Sequence, residues 1–297
     1  MNTTAPTRPA AKTASVKMRT MDLTAEIQRG VTAALEEDVG TGDLTAALIA
    51  PGATARATVI ARSDTVLAGG PWFEAVFHRL DPSATIAWHH RDGDPVAAGS
   101  AVCELAGNAR ALLTGERTAL NFLQTLSAVA TRTRRYVDAV RGTRARIVDT
   151  RKTLPGLRIA QKYAVRMGGG HNHRTGLYDG ILIKENHIAA AGGVSQALRA
   201  AQAAAPAGVW IQVEVETLAQ LAEALAAGAK MILLDNMDPA TMREAVRTAA
   251  GRAELEASGG VTLDTIRAVA ETGVDRISIG SLTKDIEAAD LSLRFRD

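Results

Sequence analysis

The second half of the chain repeats one pattern: a short apolar run, a polar residue or glycine at its end, and then an alanine-rich segment with helical spacing. Such runs are typical of buried parallel strands, and the segments between them are typical of crossover helices. Strands are predicted at 146–150, 180–184, 210–216, 231–235, 253–258 and 276–280. Helices are predicted to follow the strands, for example at 218–227 and 262–271. Because β-α-β crossovers are right-handed, the strands should be parallel in an α/β barrel or a doubly wound sheet.

Two observations favour the barrel. Polar residues or glycines recur at the carboxyl end of every predicted strand, and a barrel gathers these ends into one mouth. No GxGxxG motif follows a strand, which argues against a dinucleotide-binding fold. We therefore expect an active site at the carboxyl end of a barrel.

The first half has a different, α+β pattern. The spacing predicts helices at 23–35, 71–80 and 113–140, strands at 55–62, 84–90 and 101–105, and an acidic loop at 36–43. The long segment 113–140, which carries Arg117, should link the two halves. The predicted domains are an amino-terminal domain at 21–127 and a barrel at 128–283, preceded by a disordered basic tail at 1–20.

Composition excludes several classes of protein. The chain is 46% hydrophobic and 22% charged, and it lacks an apolar run long enough for a membrane span, so a soluble protein is expected. A formal net charge of +2 gives no general indication of nucleic-acid or membrane binding. The single cysteine, Cys103, excludes an internal disulfide and fits a reducing, cytoplasmic compartment.

Basic side chains are concentrated between residues 149 and 187, and they follow strand ends or glycines. Arg151 and Lys152 follow one apolar run, His173 and Arg174 follow a triple glycine, and Lys184 follows the next run. Arginine binds carboxylate or phosphate in a bidentate fork and lysine acts as a mobile point charge, so the cluster predicts a substrate with several negative groups. A solvated basic face is the alternative.

Carboxylates end two further strands. Glu214 and Glu216 alternate along one strand and share a face, and Asp235 ends the next strand. Mg²⁺ favours one or two carboxylates together with water and substrate oxygens, so Glu214 and Asp235 are the predicted metal ligands. Ion pairing of these carboxylates with the nearby cations is the alternative.

Glycines end the last two strands, at Ser258-Gly259-Gly260 and at Gly280-Ser281. Exposed backbone N–H groups with a helix behind them bind anions, and late strands of phosphate-using barrels often carry such turns. Either motif alone is equally consistent with a tight strand-to-helix turn that binds no ligand.

Taken together, these segments resemble the quinolinate phosphoribosyltransferase family, the decarboxylating nicotinate-nucleotide pyrophosphorylases of NAD biosynthesis. The resemblance covers residues 22 to 295 and rests on ordered motifs: EDVGTGDLT, LTGERTALNFL, the block from DTRKTLPG to KENH, VEVET, LLDNM, EASGG and ISIGSLT. It implies a type II phosphoribosyltransferase fold, which is a sandwich-like α+β domain followed by an incomplete, TIM-like α/β barrel. It also implies that a last helix, at 284–297, returns to the first domain.

The resemblance further implies the reaction and the site. The substrates would be quinolinate and phosphoribosyl pyrophosphate, with Mg²⁺ required. Arg151, His173 and Arg174 would hold the quinolinate carboxylates, and Arg117 would reach in from the neighbouring subunit of a homodimer or larger oligomer. The remaining implied positions are Lys152 and Lys184 at the carboxylate and pyrophosphate, Glu214 and Asp235 near the ribose and metal, Thr150 as a further substrate contact, and Ser258, Gly259, Gly260, Gly280 and Ser281 around the 5′-phosphate. Of these, Lys152, Lys184, Glu214 and Asp235 are the expected catalytic residues.

Four alternatives remain open. A branch associated with molybdenum transport shares this fold and much of the phosphate machinery. A Schiff-base aldolase could use Lys184. A metal hydrolase could use His171 and His173. A non-catalytic phosphate-binding module would show no turnover.

Overall fold

The computed structural model describes residues 23–296. The predicted disordered tail at 1–20 lies outside the described residues. The amino-terminal elements are α1 (Leu23–Val39), a 3₁₀ helix (Ala46–Leu48), β1 (Thr54–Ala61), β2 (Thr65–Val66), α2 (Gly70–Leu80), β3 (Thr85–Trp88), β4 (Pro95–Val96), β5 (Ala101–Asn108) and the long α3 (Ala109–Ala139).

The second half alternates strands and helices, as the sequence predicts. Its elements are β6 (Arg146–Val148), α4 (Arg158–Met167), β7 (Gly180–Ile183), α5 (Glu185–Ala191), α6 (Val194–Ala204), β8 (Trp210–Val215), α7 (Leu218–Ala226), β9 (Met231–Asp235), α8 (Pro239–Ala249), β10 (Glu254–Ser258), α9 (Ile266–Ala270), β11 (Arg276–Ser278), α10 (Ser281–Lys284) and β12 (Leu291–Arg296).

Strands β6 to β11 form one six-stranded parallel sheet in the order β6-β11-β10-β9-β8-β7. The first strand therefore pairs with the last, as in a closed barrel, whereas β6 and β7 do not pair with each other. The gap between them is entered by the segment that carries the basic cluster. There His171 N–H donates to Ile147 O at 2.8 Å and Asp149 N–H donates to His171 O at 3.0 Å. The predicted incomplete α/β barrel is confirmed.

Alternation along the strands separates an apolar outer face from a polar interior. On β8, Val213 and Val215 belong to the hydrophobic core, while Gln212 and Glu214 occupy the other face. The helices that follow each strand cover the apolar face. The barrel interior thus carries the polar side chains that would build a site.

The amino-terminal domain packs α2 and α3 on an antiparallel sheet with the order β12-β1-β5-β3. Trp72, Phe73 and Phe77 of α2 are almost fully buried in its core. Helix α3 has 31 residues and also contacts α4 and β6 of the barrel, so it links the two halves. The predicted domain boundary at 127/128 falls within this continuous helix.

Two predictions about element type are wrong. The predicted last helix at 284–297 is instead the short α10 followed by β12, which pairs antiparallel with β1 in register Ala61 with Leu291 and Ala57 with Phe295. In the run LSLRFR, Leu291 and Leu293 are buried and the residues between and after them are more exposed, which is the period of a strand. The acidic residues 36–38 lie in α1 rather than in a loop, because the helix continues to Val39 before Gly40, at φ +52°, follows it.

No helix among residues 23–296 combines the length and the hydropathy required to cross a lipid bilayer.

Candidate active site

The carboxyl ends of the barrel strands bring together most of the predicted site residues at one mouth. Lys184 Nζ, after β7, lies 3.2 Å from Glu214 Oε2 on β8. Asp235 on β9 is in register with Ser258 on β10. The aliphatic part of Lys152 lies against Gly280, where an added Cβ would stand 2.8 Å from Lys152 Cδ. Residues that are far apart in the sequence therefore share one surface.

The turn after β6 presents Arg151 and Lys152. The Thr150 hydroxyl accepts the Lys152 N–H at 3.0 Å, and the Thr283 hydroxyl donates to Lys152 O at 2.8 Å. These contacts fix the backbone and leave both side chains available. The Arg151 Nε atom is buried and has no hydrogen-bond partner among the described residues. A buried guanidinium N–H without an acceptor is costly, so this site favours an anionic ligand.

Arg174 interacts with the charge of Arg151. Its Nη1 donates to Gly180 O at 3.0 Å, which orients the guanidinium across the start of β7. Burial and the neighbouring Arg151 charge lower the pKa of Arg174, although an arginine remains protonated in proteins. Two guanidinium groups that repel each other are stabilised when a carboxylate or phosphate binds between them.

The loop that places Arg174 is held by a buried ion pair that the sequence analysis missed. Asp149 and Lys162 pair at zero side-chain exposure. Asp149 also accepts Asn172 Nδ2–H at 2.6 Å and His173 N–H at 2.8 Å. Burial raises the pKa of Asp149 and lowers that of Lys162, while their mutual attraction opposes both shifts. The sequence carries no local signal of this pair, because Asp149 follows β6 whereas Lys162 lies on α4.

His173 has both ring nitrogens engaged. The backbone N–H of Arg174 donates to His173 Nδ1 at 2.8 Å, so the proton of the neutral ring resides on Nε2 and is donated to Gln212 Oε1 at 2.9 Å. Burial lowers the pKa of His173, which favours the neutral form. The predicted role of His173 as a carboxylate ligand is untested, and its contacts here position the neighbouring arginine.

The Gln212 side chain continues this network into the barrel. Gln212 Nε2 donates to Glu256 Oε2 at 3.2 Å, and Arg276 Nε lies 3.1 Å from the same oxygen. Glu256 Oε1 is buried without a hydrogen-bond partner in the described chain and lies 3.9 Å from His173 Nε2. The network Arg276-Glu256-Gln212-His173 thus crosses the barrel interior and ends at the backbone of Arg174. Alternation along β8 and β10 could have indicated that Gln212 and Glu256 point inward.

Glu214 is nearly buried, with 9% of its side chain exposed. Burial raises its pKa, Lys184 lowers it, and the charge of Asp235 raises it further. Glu214 lies on β8 and Asp235 ends the adjacent strand β9, and the two carboxylate charges interact. Among the described residues, no group of three or more His, Cys, Asp or Glu side chains is placed to hold a metal.

The glycines after β10 are required by the backbone. Gly259 has φ +99°, and an added Cβ would stand 2.9 Å from the backbone N of Asn236. Asn236 N–H donates to Ser258 O at 2.9 Å and holds the two strand ends together. Gly260 has φ +59° with open space around it, and Gly280 lies against Lys152. Both glycine turns reach the mouth, as their positions in the sequence predict.

Arg117 is the one predicted site residue that the structure places outside the barrel. It lies on α3 and is exposed, and in the described part of the chain it makes no hydrogen bond or ion pair. Its neighbours Thr114 and Thr118 donate to Asp43 and Asp38 at 2.7 and 3.1 Å. The acidic segment therefore supports the face of α3 on which Arg117 is found.

Two of the alternative chemistries fit this geometry poorly. A metal site at His171 and His173 would need a free nitrogen on His173, and both are hydrogen-bonded. A Schiff-base lysine is activated by desolvation or by neighbouring cations, whereas the Lys184 side chain is 47% exposed and paired with Glu214.

Comparison with known proteins agrees with the motifs. The model of the quinolinate phosphoribosyl transferase N-terminal domain matches residues 43–127, and the model of the C-terminal domain matches residues 129–294. The chain belongs to the quinolinate phosphoribosyltransferase family. The two domain models meet inside α3, where the long helix joins the antiparallel sheet to the barrel.

Individual members of the family are similar along most of their length. A Bacillus subtilis protein described as a "Probable nicotinate-nucleotide pyrophosphorylase (carboxylating)" is 46% identical over 257 residues, which is 86% of this chain and 89% of that protein. A mitochondrial quinolinate phosphoribosyltransferase (decarboxylating) of Nicotiana tabacum is 40% identical over 282 residues, with 88% and 80% covered. The structure of the nicotinate-nucleotide pyrophosphorylase from Francisella tularensis superposes with a TM-score of 0.88 at 43% identity, with 92% and 96% covered.

Proposed function

We propose that this protein transfers the phosphoribosyl group of phosphoribosyl pyrophosphate to quinolinate, with loss of CO₂, and so makes nicotinate mononucleotide and pyrophosphate. The observation that carries the proposal is the pair of interacting guanidinium groups of Arg151 and Arg174, with an unsatisfied buried N–H on Arg151. A pyridine dicarboxylate supplies two acceptors of the right charge. Membership of the family supports the same reaction.

Substrate binding would use the cations of the mouth in two groups. Arg151 and Arg174 take the quinolinate carboxylates, because paired guanidinium groups bind carboxylates through two parallel hydrogen bonds. Lys152 and Lys184 extend from neighbouring turns toward the pyrophosphate of the second substrate. The backbone turns at 258–260 and 280–281, with Thr150 beside them, receive the 5′-phosphate.

The chemistry then requires positioning and charge more than covalent catalysis. The pyridine nitrogen attacks the anomeric carbon of the ribose, and the bond from that carbon to pyrophosphate breaks. The bond between C2 and its carboxylate then breaks, CO₂ leaves, and the electron pair stays on C2 beside the positive nitrogen until C2 takes a proton. Lys152 and Lys184 stabilise the charge of the departing pyrophosphate.

Mg²⁺ is part of this proposal. Glu214 and Asp235 fit it, since they end adjacent strands and two carboxylates suffice when phosphate and water oxygens complete the coordination. When bound, the metal would neutralise the developing charge of pyrophosphate. The 3.2 Å contact of Lys184 with Glu214 keeps that carboxylate aimed into the mouth.

We also propose a cytoplasmic homodimer or larger oligomer in which Arg117 completes the site of the neighbouring subunit. The support is its exposed position on α3 and its lack of a side-chain partner in residues 23–296. An unpaired arginine on a rigid helix can reach an anion across an interface.

The test compares Arg151→Ala with Arg243→Ala, an exposed arginine on α8. Purified protein is mixed with phosphoribosyl pyrophosphate, Mg²⁺ and either quinolinate or nicotinic acid, and nicotinate mononucleotide is followed. We expect product from quinolinate alone, and kcat/KM for quinolinate to fall by about 10²–10³-fold in Arg151→Ala, since a charge-assisted bidentate contact is lost. Arg243→Ala should match the parent protein.

Unchanged quinolinate kinetics in Arg151→Ala would overturn the assignment of this residue. If neither pyridine gives product while phosphoribosyl pyrophosphate still binds, the reaction itself is wrong, and the branch associated with molybdenum transport or a binding module becomes the better assignment.

A further inference from the structure

A large cavity lies at the end of the barrel opposite the proposed active site. It has a volume of about 850 Å³ and is lined by the first residues of five strands, Arg146, Trp210, Met231, Glu254 and Arg276. In parallel strands these first residues mark the amino end of the barrel, whereas substrates are proposed to bind at the carboxyl end. We call this space the floor cavity.

The floor cavity is open because of the strand order. In the gap between β6 and β7, Val148 of β6 forms an isolated parallel bridge with His171 of the following loop, and both residues line the cavity. Helix α6 contributes Leu198 to the opposite wall. The gap that makes the barrel incomplete therefore leaves room for a ligand beneath the polar network of the interior.

Positive charge predominates on the cavity wall. Arg146, Lys230 and Arg276 face a single wall carboxylate, Glu254, which is paired with Arg146. Arg276 is paired with the buried Glu256. Lys230 has no ion pair within residues 23–296, and burial, together with the charges of Arg146 and Arg276, lowers the pKa of His171. An anion in the cavity would relieve this unbalanced charge.

Much of the remaining wall is apolar, and Trp210 is its largest side chain. The Trp210 ring lies over Gly180, where an added Cβ would stand 2.5 Å from Trp210 Cε2. The ring also meets His173 edge to face, at 5.0 Å between centroids and 86° between planes. Packing against Gly180 and His173 fixes the indole, which is half-buried and presents its remaining surface beside Val209 and Leu198.

A buried acceptor also points to a ligand. Asn172 lines the cavity, and its Oδ1 is buried with no hydrogen-bond partner in the part of the chain that the structure describes. Its Nδ2 is already committed to Asp149 and to Lys162 O. A hydroxyl or N–H group of a bound molecule would satisfy this oxygen, which is otherwise costly to bury.

We propose that the floor cavity is a second ligand site, which binds an organic anion composed of a flat apolar ring system and a carboxylate, sulfonate or phosphate group. The ring lies against Trp210, and the anionic group meets Lys230 and His171. A cavity of 850 Å³ is within the usual range for sites that enclose small molecules. The site is independent of the proposed reaction at the mouth.

The test uses 8-anilinonaphthalene-1-sulfonate as the probe, because it carries one sulfonate on an apolar ring system and becomes fluorescent when bound. The full chain is titrated with the probe, and energy transfer from tryptophan is recorded. The chain has three tryptophans, of which Trp72 and Trp88 lie in the amino-terminal domain. Energy transfer should therefore fall strongly in Trp210→Phe, while direct excitation still reports bound probe.

Charge variants locate the probe. We expect Lys230→Glu to weaken binding by about tenfold, as expected for the loss of one charge-assisted contact. His171→Ala should weaken binding in the same direction. Arg243→Glu, the same type of change on exposed α8, and Arg151→Ala at the mouth should leave the affinity unchanged.

Three results would overturn the proposal: no binding by the folded parent protein, equal affinity in Lys230→Glu and the parent, or loss of binding in Arg151→Ala alone. The last result would place the probe at the mouth. Circular dichroism should show that every variant is folded at the temperature of the titration, because the probe also binds unfolded chains. Should Lys230→Glu fail to fold, His171→Ala and Lys230→Met replace it with the same expected loss.

Discussion

His173 can be identified as a site residue from the sequence, but its role cannot. Its place between the triple glycine and Arg174 indicates a site residue, and the structure does place it under the mouth. However, its two nitrogens bond Gln212 and the backbone of Arg174, and these contacts depend on how β8 and the loop pack. We infer that it positions Arg174, since it has no nitrogen left for a carboxylate.

Gln212→Leu tests this positioning role. The change leaves the buried Nε2–H of His173 without an acceptor and should destabilise the protein by about 1–3 kcal/mol. If the network orients Arg174, KM for quinolinate should rise while KM for phosphoribosyl pyrophosphate stays close to the parent value. Urea unfolding and steady-state kinetics measure the two effects, and Gln202→Leu, at an exposed position of α6, is the control. A fall in stability with unchanged quinolinate KM would show a purely structural role.

The pH dependence of catalysis should report Glu214. Burial and Asp235 raise its pKa, so the ionised form is lost at a higher pH than for an ordinary glutamate as the solution is acidified. The proposed metal site needs the ionised form. The acidic limb of the pH profile of kcat/KM for phosphoribosyl pyrophosphate should therefore lie at a higher pH than an ordinary glutamate would give. Asp235→Asn removes a negative charge, which lowers the pKa of Glu214, and the limb should move to lower pH even though the rate falls. A limb that stays in place or moves upward contradicts the assignment.

At the level of elements, the close packing of β7 on β8 depends on a glycine. The backbone of Gly180 does not need positive φ, and the constraint is steric, because the Trp210 ring occupies the space of a side chain. Arg174 donates to the carbonyl of the same glycine, so this contact couples the barrel wall to the site. The glycine is not predictable from its own neighbours, since its partner belongs to the next strand.

Gly180→Ala should therefore destabilise the fold through overpacking, by about 1–3 kcal/mol. Replacing Trp210 with leucine removes the clash. Gly180→Ala should therefore cost less stability in the Trp210→Leu background than in the parent protein. Thermal unfolding of the four proteins gives the coupling between the positions. Gly52→Ala is the control, because Gly52 has open space around it and no positive φ. Gly228 is unsuitable, since its φ of +85° would add backbone strain. Additive effects would show that the indole moves aside freely.

Most barrel elements could be predicted from sequence because each strand carries its own local signal. The apolar runs begin at the observed first residues of five strands, and β9 has the predicted bounds 231–235. The last strand was missed, since Leu291 and Leu293 alternate over only six residues and the partner, β1, lies more than 200 residues away in the chain. The buried pairs Asp149 with Lys162 and Gln212 with Glu256 were missed for the same reason, as side-chain pairing across elements has no local period.

At the level of the whole molecule, the last described strand lies in the same sheet as the first. Strand β12, the last described element, pairs with β1 across six residues, so the amino-terminal sheet contains strands that precede and follow the barrel in sequence. Helix α3 crosses from that sheet to the barrel and carries Arg117 on its amino-terminal part. In the proposed oligomer, the barrel would supply the cations of the mouth, and Arg117 of α3 would serve a second copy of the chain.

Subunit complementation tests that arrangement. If each site uses its own Arg151 and the other subunit's Arg117, Arg117→Ala and Arg151→Ala homodimers should both be nearly inactive. A mixed dimer would place both substitutions in one site and leave the other site intact. Equal amounts of the two variants, unfolded and refolded together, should then recover about a quarter of the parent rate if subunits exchange at random between twofold dimers.

The control mixes Arg151→Ala with Asp235→Asn. Both substitutions lie on the barrel of their own chain, so each chain of the mixed dimer keeps one defect at its own site and activity should stay at the level of the separate variants. Analytical ultracentrifugation of each sample establishes that dimers form. Recovery in the first mixture but not in the second would mean that the site spans two chains, because only residues from different subunits can complement each other in this way. Absence of recovery in both, with dimers present, would assign Arg117 to a role within its own chain.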